Sequence, residues 1–253
     1  MVNIMLCGCR GKMGHVVADC VAAREDCRII AGIDVSDGPE PGFPVYHTPA
    51  EAAEKPDVIV DYSHPSSLEG LLSFALAGRI PLVIATTGYS GEQIAAIEAA
   101  SKEVPVFFTA NMSLGINLLA ELARKAAQIL GGQFDIEIVE KHHNRKLDAP
   151  SGTALMLADA INDELGGGET YVYDRHSVRR KRDPKEIGIH SVRGGTIVGE
   201  HEIIFAGRDE VITLSHSAAS REVFAVGAVN AAVFMKGKAP GLYRMSDLIA
   251  AAE

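Results

Sequence analysis

The sequence lacks tryptophan, and all four of its cysteines lie within the first 27 residues. Disulfides that stabilise a fold are usually spread over it, so reduced thiols are expected, as in a cytoplasmic protein. No run of eighteen apolar residues occurs, which argues against a membrane-spanning helix. The first residues contain no basic segment and reach Gly8 early, so no secretory signal peptide is expected. The four cysteines are Cys7, Cys9, Cys20 and Cys27.

Basic residues are also in deficit. The chain holds 24 Lys and Arg against 33 Asp and Glu, a formal net charge of −9. This balance argues against a general nucleic-acid-binding protein. A Cys7-x-Cys9 pair could suggest a metal, but no further Cys or His pair has ligand spacing, so no metal site is expected. The 253 residues, 47% of them hydrophobic, are enough for one large domain or two modest ones, each with its own core.

The first third of the chain has the pattern strand, glycine turn, helix, strand, acid. A short apolar segment precedes the run GCRGKMG, Gly8 to Gly14, and Asp34 follows a second apolar segment. Glycines allow the backbone to approach a pyrophosphate, a helix N-terminus binds it, and an acid about twenty residues later binds ribose hydroxyls. Arg10 occupies the usual middle glycine position. The pattern predicts a Rossmann-type dinucleotide site, and the alternative is a tight turn without a ligand.

The alternation of strands and helices continues to about residue 112. Short turns at 63–65, 86–88 and 110–112 follow three predicted strands. Ligands of open parallel sheets bind beyond the carboxyl ends of the strands. The small hydroxyl and amide side chains of these turns could therefore contact ribose or nicotinamide, or they could serve only as turn and cap residues.

The middle of the chain changes character. An amphipathic helix is predicted over 114–130, and residues 134–140 alternate with period two, as a half-buried strand does. Further strand-like segments predict a mixed or antiparallel sheet with two helices packed on it, and a late apolar helix, 221–236, is expected to return to the first domain. The predicted fold is α/β, with a Rossmann-type parallel-sheet domain and an α+β substrate-binding and oligomerisation domain with a mixed sheet. The predicted domains are 1–112 plus 222–253, and 113–221.

The segment EKHHNRKLDAPSGTA, residues 140–154, concentrates the chemistry. His142 suits a general acid because the unperturbed side-chain pKa of histidine lies near neutrality. Lys146 can hold a carboxylate or stabilise negative charge, and Ser151, Gly152 and Thr153 begin a helix whose N–H groups can bind an anion. The residues alone leave alternatives open: a structural histidine pair, a zinc ligand pair, or a Schiff-base lysine at Lys146.

A basic cluster lies between two predicted strands. Two interpretations are open: the cluster could lie near phosphates or substrate carboxylates, or it could be a solvated loop, which is the commoner case in an acidic protein. The solvated loop is the prediction. The cluster comprises Arg175, Arg179, Arg180, Lys181, Arg182 and Lys185.

These motifs together resemble the 4-hydroxy-tetrahydrodipicolinate (dihydrodipicolinate) reductase family over the whole chain. The resemblance is carried by GCRGKMG, by ATTG at 85–88, by ANMSLG at 110–115, by the full segment E-x-H-H-x-x-K-x-D-A-P-S-G-T-A, and by RGGTIVGEH at 193–201. It implies a nicotinamide-dependent reductase of lysine and diaminopimelate biosynthesis that forms a homotetramer and acts on a small dicarboxylate. No nucleic-acid or membrane partner is implied.

The resemblance also implies roles for residues. His142 and Lys146 match the catalytic acid/base and its proton-donating or electrostatic partner. His143, Gly152 and Thr153 match residues that bind the dicarboxylate, and Ser151 is added to them as part of the same helix start. The residues that match cofactor contacts are Gly8, Cys9, Arg10, Gly11, Lys12, Met13, Asp34, Ala85, Thr86, Thr87, Thr109, Ala110, Asn111 and Met112.

Cofactor preference depends on Asp34. It is followed by Val35 instead of a basic residue, and its charge would repel a 2′-phosphate. NADH is therefore expected to be favoured or tolerated. NADPH is possible because Arg10 is close enough in sequence to the phosphate loop to reach over the adenosine ribose. Two rival functions remain: another two-domain NAD(P)-dependent dehydrogenase of a small acid, and a non-enzymatic dinucleotide-sensing protein.

Overall fold

A computed structural model describes residues 1–39 and 41–251. The chain divides into two compact units. The first contains Met1–Leu114 together with the chain from Arg221 onward, and the second is Gly115–Ser220.

The first unit is built on a seven-stranded parallel sheet. Its central strands are short and apolar, and β4 is buried along its whole length, as expected for strands covered on both faces. The strand order is β12-β6-β5-β4-β1-β2-β3. The strands are β1 (Val2–Cys7), β2 (Cys27–Ile33), β3 (Val45–Tyr46), β4 (Val58–Asp61), β5 (Leu82–Ile84), β6 (Pro105–Phe108) and β12 (Gly241–Tyr243). The helices are α1 (Lys12–Ala22), α2 (Leu68–Gly78), α3 (Gly91–Ala100), α6 (Glu222–Met235) and α7 (Met245–Ala250).

Helix α6 lies in the core of the first unit. Ala225, Ala228 and Val229 are fully buried and pack in the same cluster as Ile4 and Leu6 of β1. Small side chains let this helix approach the backbone closely. At Gly227 an added Cβ would stand only 1.7 Å from the backbone oxygen of Met112, so only glycine fits there.

The second unit contains a five-stranded mixed sheet with two helices on one face. In β7 every second residue is buried, so Ile136 and Ile138 face the helices while the alternate residues face away. The order is β11-β10-β7-β9-β8, with β10 antiparallel to both its neighbours. The elements are α4 (Leu114–Leu130), β7 (Asp135–His142), α5 (Gly152–Glu164), β8 (Thr170–Val172), β9 (Glu186–Arg193), β10 (Gly199–Ala206) and β11 (Val211–Ala218). The predicted fold class is confirmed for both sheets.

The basic cluster lies in the exposed connection between β8 and β9, as predicted, but it is anchored. Arg175 bridges Glu137 and Glu186 with nitrogen–oxygen distances of 2.5 and 2.7 Å. Arg182 contacts Asp135 at 2.8 Å and Glu137 at 3.0 Å. Because β7 and β9 carry these carboxylates, the arginines hold the connection against the sheet.

Two strands are additions to the predicted set. β3 has only two residues and extends the sheet beside β2, and β12 pairs in parallel with β6. Both are too short for alternation to reveal them. Within residues 1–39 and 41–251, no helix has both the length and the apolar character needed to cross a membrane.

Candidate functional site

The glycine turn between β1 and α1 is a backbone structure that only glycine permits. Gly8 has a φ of +74°, and a Cβ there would lie 2.4 Å from the carbonyl oxygen of Tyr62. A Cβ at Gly14 would lie 2.2 Å from the oxygen of Gly8. Helix α1 therefore begins close to the sheet edge, and Gly11 at its N-cap has no side chain to cover the first-turn amides. Such an end binds anionic groups.

A cavity of about 940 Å³ adjoins this turn, and the Asp34 carboxylate lines it. One carboxylate oxygen accepts the Arg10 N–H at 2.9 Å, and the other accepts the Ser36 N–H, also at 2.9 Å. The Arg10 guanidinium contacts the carbonyl oxygen of Ser36 and donates to that of Gly38 at 2.7 Å. The acid at the end of β2 and the glycine turn are thus joined directly.

A second cavity, of about 640 Å³, lies beyond the ends of β4, β5 and β6. Gly11 and the segment 62–64 line both cavities, so the two form one trough along the carboxyl edge of the sheet. Gly8, Arg10, Gly11 and Asp34 line the first cavity. Gly11, Lys12, Met13, Ala85, Thr86, Thr87, Thr109, Ala110, Asn111 and Met112 line the second.

Cys9 is the exception among the predicted cofactor residues. Its side chain is fully buried in the core and lines neither cavity. Residues absent from the predicted set, namely Tyr62, His47 and Phe224, line the trough instead. Tyr62 donates its hydroxyl to the carbonyl oxygen of Phe224 at 2.9 Å, which ties the rim to α6.

In the second unit, His142 ends strand β7 and faces inward. Its Nδ1 lies 2.6 Å from Oε2 of Glu140, two residues earlier on the same face of the strand. Glu140 is fully buried, and its oxygens also accept hydrogen bonds from both terminal nitrogens of Arg193, at 2.7 and 2.8 Å. Burial raises the pKa of Glu140, but the bonds from Arg193 and His142 outweigh it and hold the pKa at about 2. The carboxylate therefore stays ionised.

His201 stands beside His142. The two rings meet edge to face, with centroids 5.2 Å apart and an interplanar angle of 76°. Burial, followed by the neighbouring His142, lowers the pKa of His201 to about 4, so this ring is neutral near pH 7. Its Nε2 lies 3.1 Å from Oγ of Ser151.

The hydrogen-bonding groups of Ser151 are used within the protein. It is 2% exposed, its N–H donates to Glu140 at 3.1 Å, and its Oγ accepts the N–H of Ala154 as the N-cap of α5. The structure thus places Ser151 behind the helix start, whereas Gly152 and Thr153 form its first turn. The amides of such a first turn can bind an anion.

Lys146 lies on the loop between His142 and α5. Its Nζ is 2.9 Å from a carboxylate oxygen of Asp148, and its N–H donates to the carbonyl oxygen of His143 at 3.1 Å. Arg193 also donates to the backbone oxygen of Asp148 at 2.7 Å. The loop that carries Lys146 is therefore fastened to β9, the strand that pairs with β7 beside His142.

Three members of this cluster were not predicted as site residues: Glu140, Arg193 and His201. The alternation of β7 placed Glu140 and His142 on one face, and this was a usable signal. Arg193 and His201 come from later strands, and only their place within RGGTIVGEH pointed to them. Among the residues that the structure describes, no three His, Cys, Asp or Glu side chains are grouped so as to hold a metal ion.

The glycine turn, the acid at the end of β2 and the trough on one unit fit a nicotinamide dinucleotide. With a buried acid–base cluster on the other unit, they define a two-unit oxidoreductase. The family comparison makes this specific. Residues 2–112 match the family model for dihydrodipicolinate reductase, N-terminus, and residues 115–249 match the model for its C-terminus. The chain belongs to this family.

Relatives agree along the whole length. The chain is 54% identical over 249 residues to the 4-hydroxy-tetrahydrodipicolinate reductase of Caldanaerobacter subterraneus subsp. tengcongensis, covering 98% of each chain. It is 49% identical to the enzyme of the same name from Clostridium tetani, covering 98% of this chain and 97% of the relative. Its reaction is the reduction of 4-hydroxy-tetrahydrodipicolinate, a step of lysine biosynthesis, and this confirms the predicted activity. The two rival functions are set aside.

Two solved structures resemble the chain, and the first of them agrees with this assignment. The dipicolinate-bound dihydrodipicolinate reductase from Paenisporosarcina sp. TG-14 has a TM-score of 0.79 and 26% identity, covering 96% of this chain and 97% of that one. A myo-inositol dehydrogenase from Corynebacterium glutamicum has a TM-score of 0.56 and 17% identity, covering 99% and 93% of the two chains. The second likeness shows the fold alone.

Proposed function

We propose that the enzyme uses NADH or NADPH, with NADH favoured or tolerated. The observation that carries this is the Asp34 carboxylate on the wall of the first cavity. Its negative charge suits ribose hydroxyls and opposes a 2′-phosphate. The Arg10 guanidinium, which could offset that charge, is already bonded to two backbone carbonyls. The cofactor supplies the hydride when bound.

Cofactor preference can be measured directly. We expect kcat/KM with NADPH to exceed that with NADH by no more than about tenfold, equivalent to roughly 1.4 kcal/mol. The assay follows the oxidation of NADH or NADPH, with the freshly made condensation product of aspartate semialdehyde and pyruvate as the substrate. Asp34→Asn should move the ratio toward NADPH. Asp57→Asn is the control, because Asp57 also accepts a backbone N–H, from Asn3 at 2.8 Å. A larger preference for NADPH in the unaltered enzyme contradicts the proposal, and no turnover with either cofactor contradicts the function.

The cofactor-binding role of the first unit rests on its backbone. We assign the pyrophosphate to the turn from Gly8 to Met13 and the start of α1, whose first turn has no side-chain cap. We assign the nicotinamide and its ribose to the second cavity, lined by the segments 85–87 and 109–112. The domain 1–112 plus 222–253 is thus the dinucleotide-binding domain, and 113–221 binds the substrate.

In the second unit, we propose that His142 and Lys146 supply the proton and stabilise the negative charge that develops on the conjugated imine. The substrate is a small dicarboxylate, in keeping with the dipicolinate bound by the Paenisporosarcina relative. His143 and the first-turn amides at Gly152 and Thr153 hold its carboxylates. Ser151, being buried and internally bonded, acts by holding that helix start in place. A cytoplasmic location agrees with four cysteines that carry free thiols.

We further propose that the mixed sheet assembles the chain into a homotetramer. The face turned away from α4 and α5 carries the half-buried Val139 and Ile204 and the exposed Val192 and Val211. The same face carries the ion pairs of Lys141 with Glu200 and Glu202, and exposed apolar groups rimmed by polar residues are typical of protein–protein contacts. A polar loop covers only part of this face, through Arg175 and Arg182.

Light scattering on the eluting protein tests the assembly. We expect a mass four times that of the chain, and Ile204→Lys should reduce it because an ammonium group would have to be desolvated within the contact. Ile129→Lys is the control, since Ile129 is 65% exposed on α4 of the same unit. A monomer at micromolar concentration, or an unchanged mass in Ile204→Lys, contradicts this face as the interface.

A further inference from the structure

Behind His142 lies a buried ion pair to which the proposed function assigns no role. Both oxygens of Glu140 are fully used. One contacts Nδ1 of His142 at 2.6 Å and Arg193 at 2.8 Å, and the other accepts from Arg193 at 2.7 Å and from the Ser151 N–H at 3.1 Å. A buried charge pair is weak evidence for stability, because desolvation offsets the attraction. The cluster is therefore expected to have a role other than stabilising the fold.

We propose that Glu140 and Arg193 are a positioning pair, which fixes the ring of His142 and fastens the loop that carries Lys146. This inference rests on the proposed roles of His142 and Lys146. Neither Glu140 nor Arg193 is assigned a contact with substrate or cofactor. They act through the groups that they hold.

The first effect is on the tautomer of His142. An ionised carboxylate can only accept hydrogen bonds, so the ring nitrogen that faces Glu140, Nδ1, must carry a proton. Nε2 is then the nitrogen that gives and takes the exchangeable proton. It faces strand β10 at Gly199, where an added Cβ would stand 3.1 Å from Nε2. Glycine at that position avoids a close contact between a Cβ and this nitrogen.

The second effect is on Lys146. Arg193 is paired with His142 in the register of β7 and β9, and it donates to the backbone oxygen of Asp148 at 2.7 Å. The Asp148 carboxylate lies 2.9 Å from Nζ of Lys146. One guanidinium thereby connects the acid behind His142 to the residue that orients Lys146. Fixing both groups at once lowers the entropy lost on reaching the reactive geometry.

The test compares three variants of the full chain: Glu140→Gln, Arg193→Met and the two combined. Glu140→Gln keeps the shape and removes the charge, and we expect kcat to fall on the order of a hundredfold, as for other residues that orient a catalytic group. The dissociation constant for NADH should stay within about twofold, because the cofactor is assigned to the first unit. Arg193→Met alone should lower the melting temperature, since it leaves a buried carboxylate uncompensated.

The double variant separates positioning from stability. Removing both charges together should restore the melting temperature toward that of the unaltered enzyme while kcat stays low. Recovery of kcat in the double variant would show that the pair is merely structural and overturn the proposal. Asp159→Asn is the matched control, since its carboxylate accepts the Tyr171 hydroxyl at 2.6 Å in the same unit. Its kcat should be unchanged.

A spectroscopic measurement makes the test independent of turnover. Ring ¹⁵N spectra of histidine-labelled protein, with His142 assigned by the His142→Gln variant, should show the proton on Nδ1, and this preference should be lost in Glu140→Gln. An unchanged tautomer overturns the proposal whatever the kinetics. Near-normal turnover of His142→Gln would instead contradict the catalytic role of His142. The tautomer measurement would still show whether Glu140 orients the ring.

Discussion

The His142→Gln variant is expected to lose between about 10² and 10⁴ of kcat, the range of a general acid or base. Glutamine preserves polarity and approximate size but cannot gain or lose the proton. The dissociation constant for NADH should stay close to that of the unaltered enzyme, because the trough of the first unit is unchanged. Steady-state kinetics and cofactor fluorescence together measure both quantities.

Lys146→Met should lower kcat/KM by a similar factor. Whether the loss appears in KM or in kcat shows what the lysine does. If Lys146 mainly holds the substrate carboxylate, KM rises with little change in kcat; if it supplies charge or the proton at the transition state, kcat falls. Lys125→Met is the control, because Lys125 lies on the exposed side of α4 and donates to Gln128 of the same helix. Near-normal turnover in both the His142 and the Lys146 variants would remove these residues from the mechanism.

The Gly227→Ala variant is expected to be among the most damaging in the first unit. A methyl group 1.7 Å from the Met112 oxygen cannot be accommodated unless α6 or the exit of β6 moves. Overpacking typically costs about 1–3 kcal/mol, and we expect a loss of about 3 kcal/mol or more because the opposing atom is backbone. The same movement would disturb the segment 109–112 of the second cavity, so NADH binding should weaken as well.

Gly70→Ala is the matched comparison. Gly70 also lies inside a helix, α2, but an added Cβ there meets nothing within 4 Å. Alanine should therefore stabilise the protein by roughly 0.5–1 kcal/mol through helix propensity. Urea unfolding of both variants supplies the free energies. Equal midpoints for Gly227→Ala and the unaltered enzyme would contradict the close approach of α6 to the sheet.

Much of the architecture could be predicted from local pattern. Helix α4 was predicted with the bounds that the structure has, because its amphipathic period is unbroken for seventeen residues. Asp34 was expected at the end of β2, where it lies, because strand, turn and helix lengths fix the spacing. The family also followed from sequence, since residues 140–154 combine many specific positions.

The remaining features depend on contacts between distant residues. Glu140 and Arg193 are 53 positions apart, and only the parallel pairing of β7 with β9 brings them together. The partners of Arg175 and Arg182 were hidden for the same reason, so exposure of their loop was predicted but its anchoring was not. Cys9 shows the converse: a position inside a binding motif says which backbone is near a ligand, and the thiol itself points into the core.

Helix α6 lies late in the sequence but belongs to the first unit, and this affects the order in which the two units can fold during synthesis. Ala225, Ala228 and Val229 complete the core that Ile4 and Leu6 begin, so the side of the parallel sheet that α1 covers stays only partly covered until α6 leaves the ribosome. Translation adds roughly 5–20 residues per second. The middle unit, whose strands and helices are contiguous in sequence, thus has all its parts first. The core of the first unit is therefore completed last, although its first strand is synthesised first.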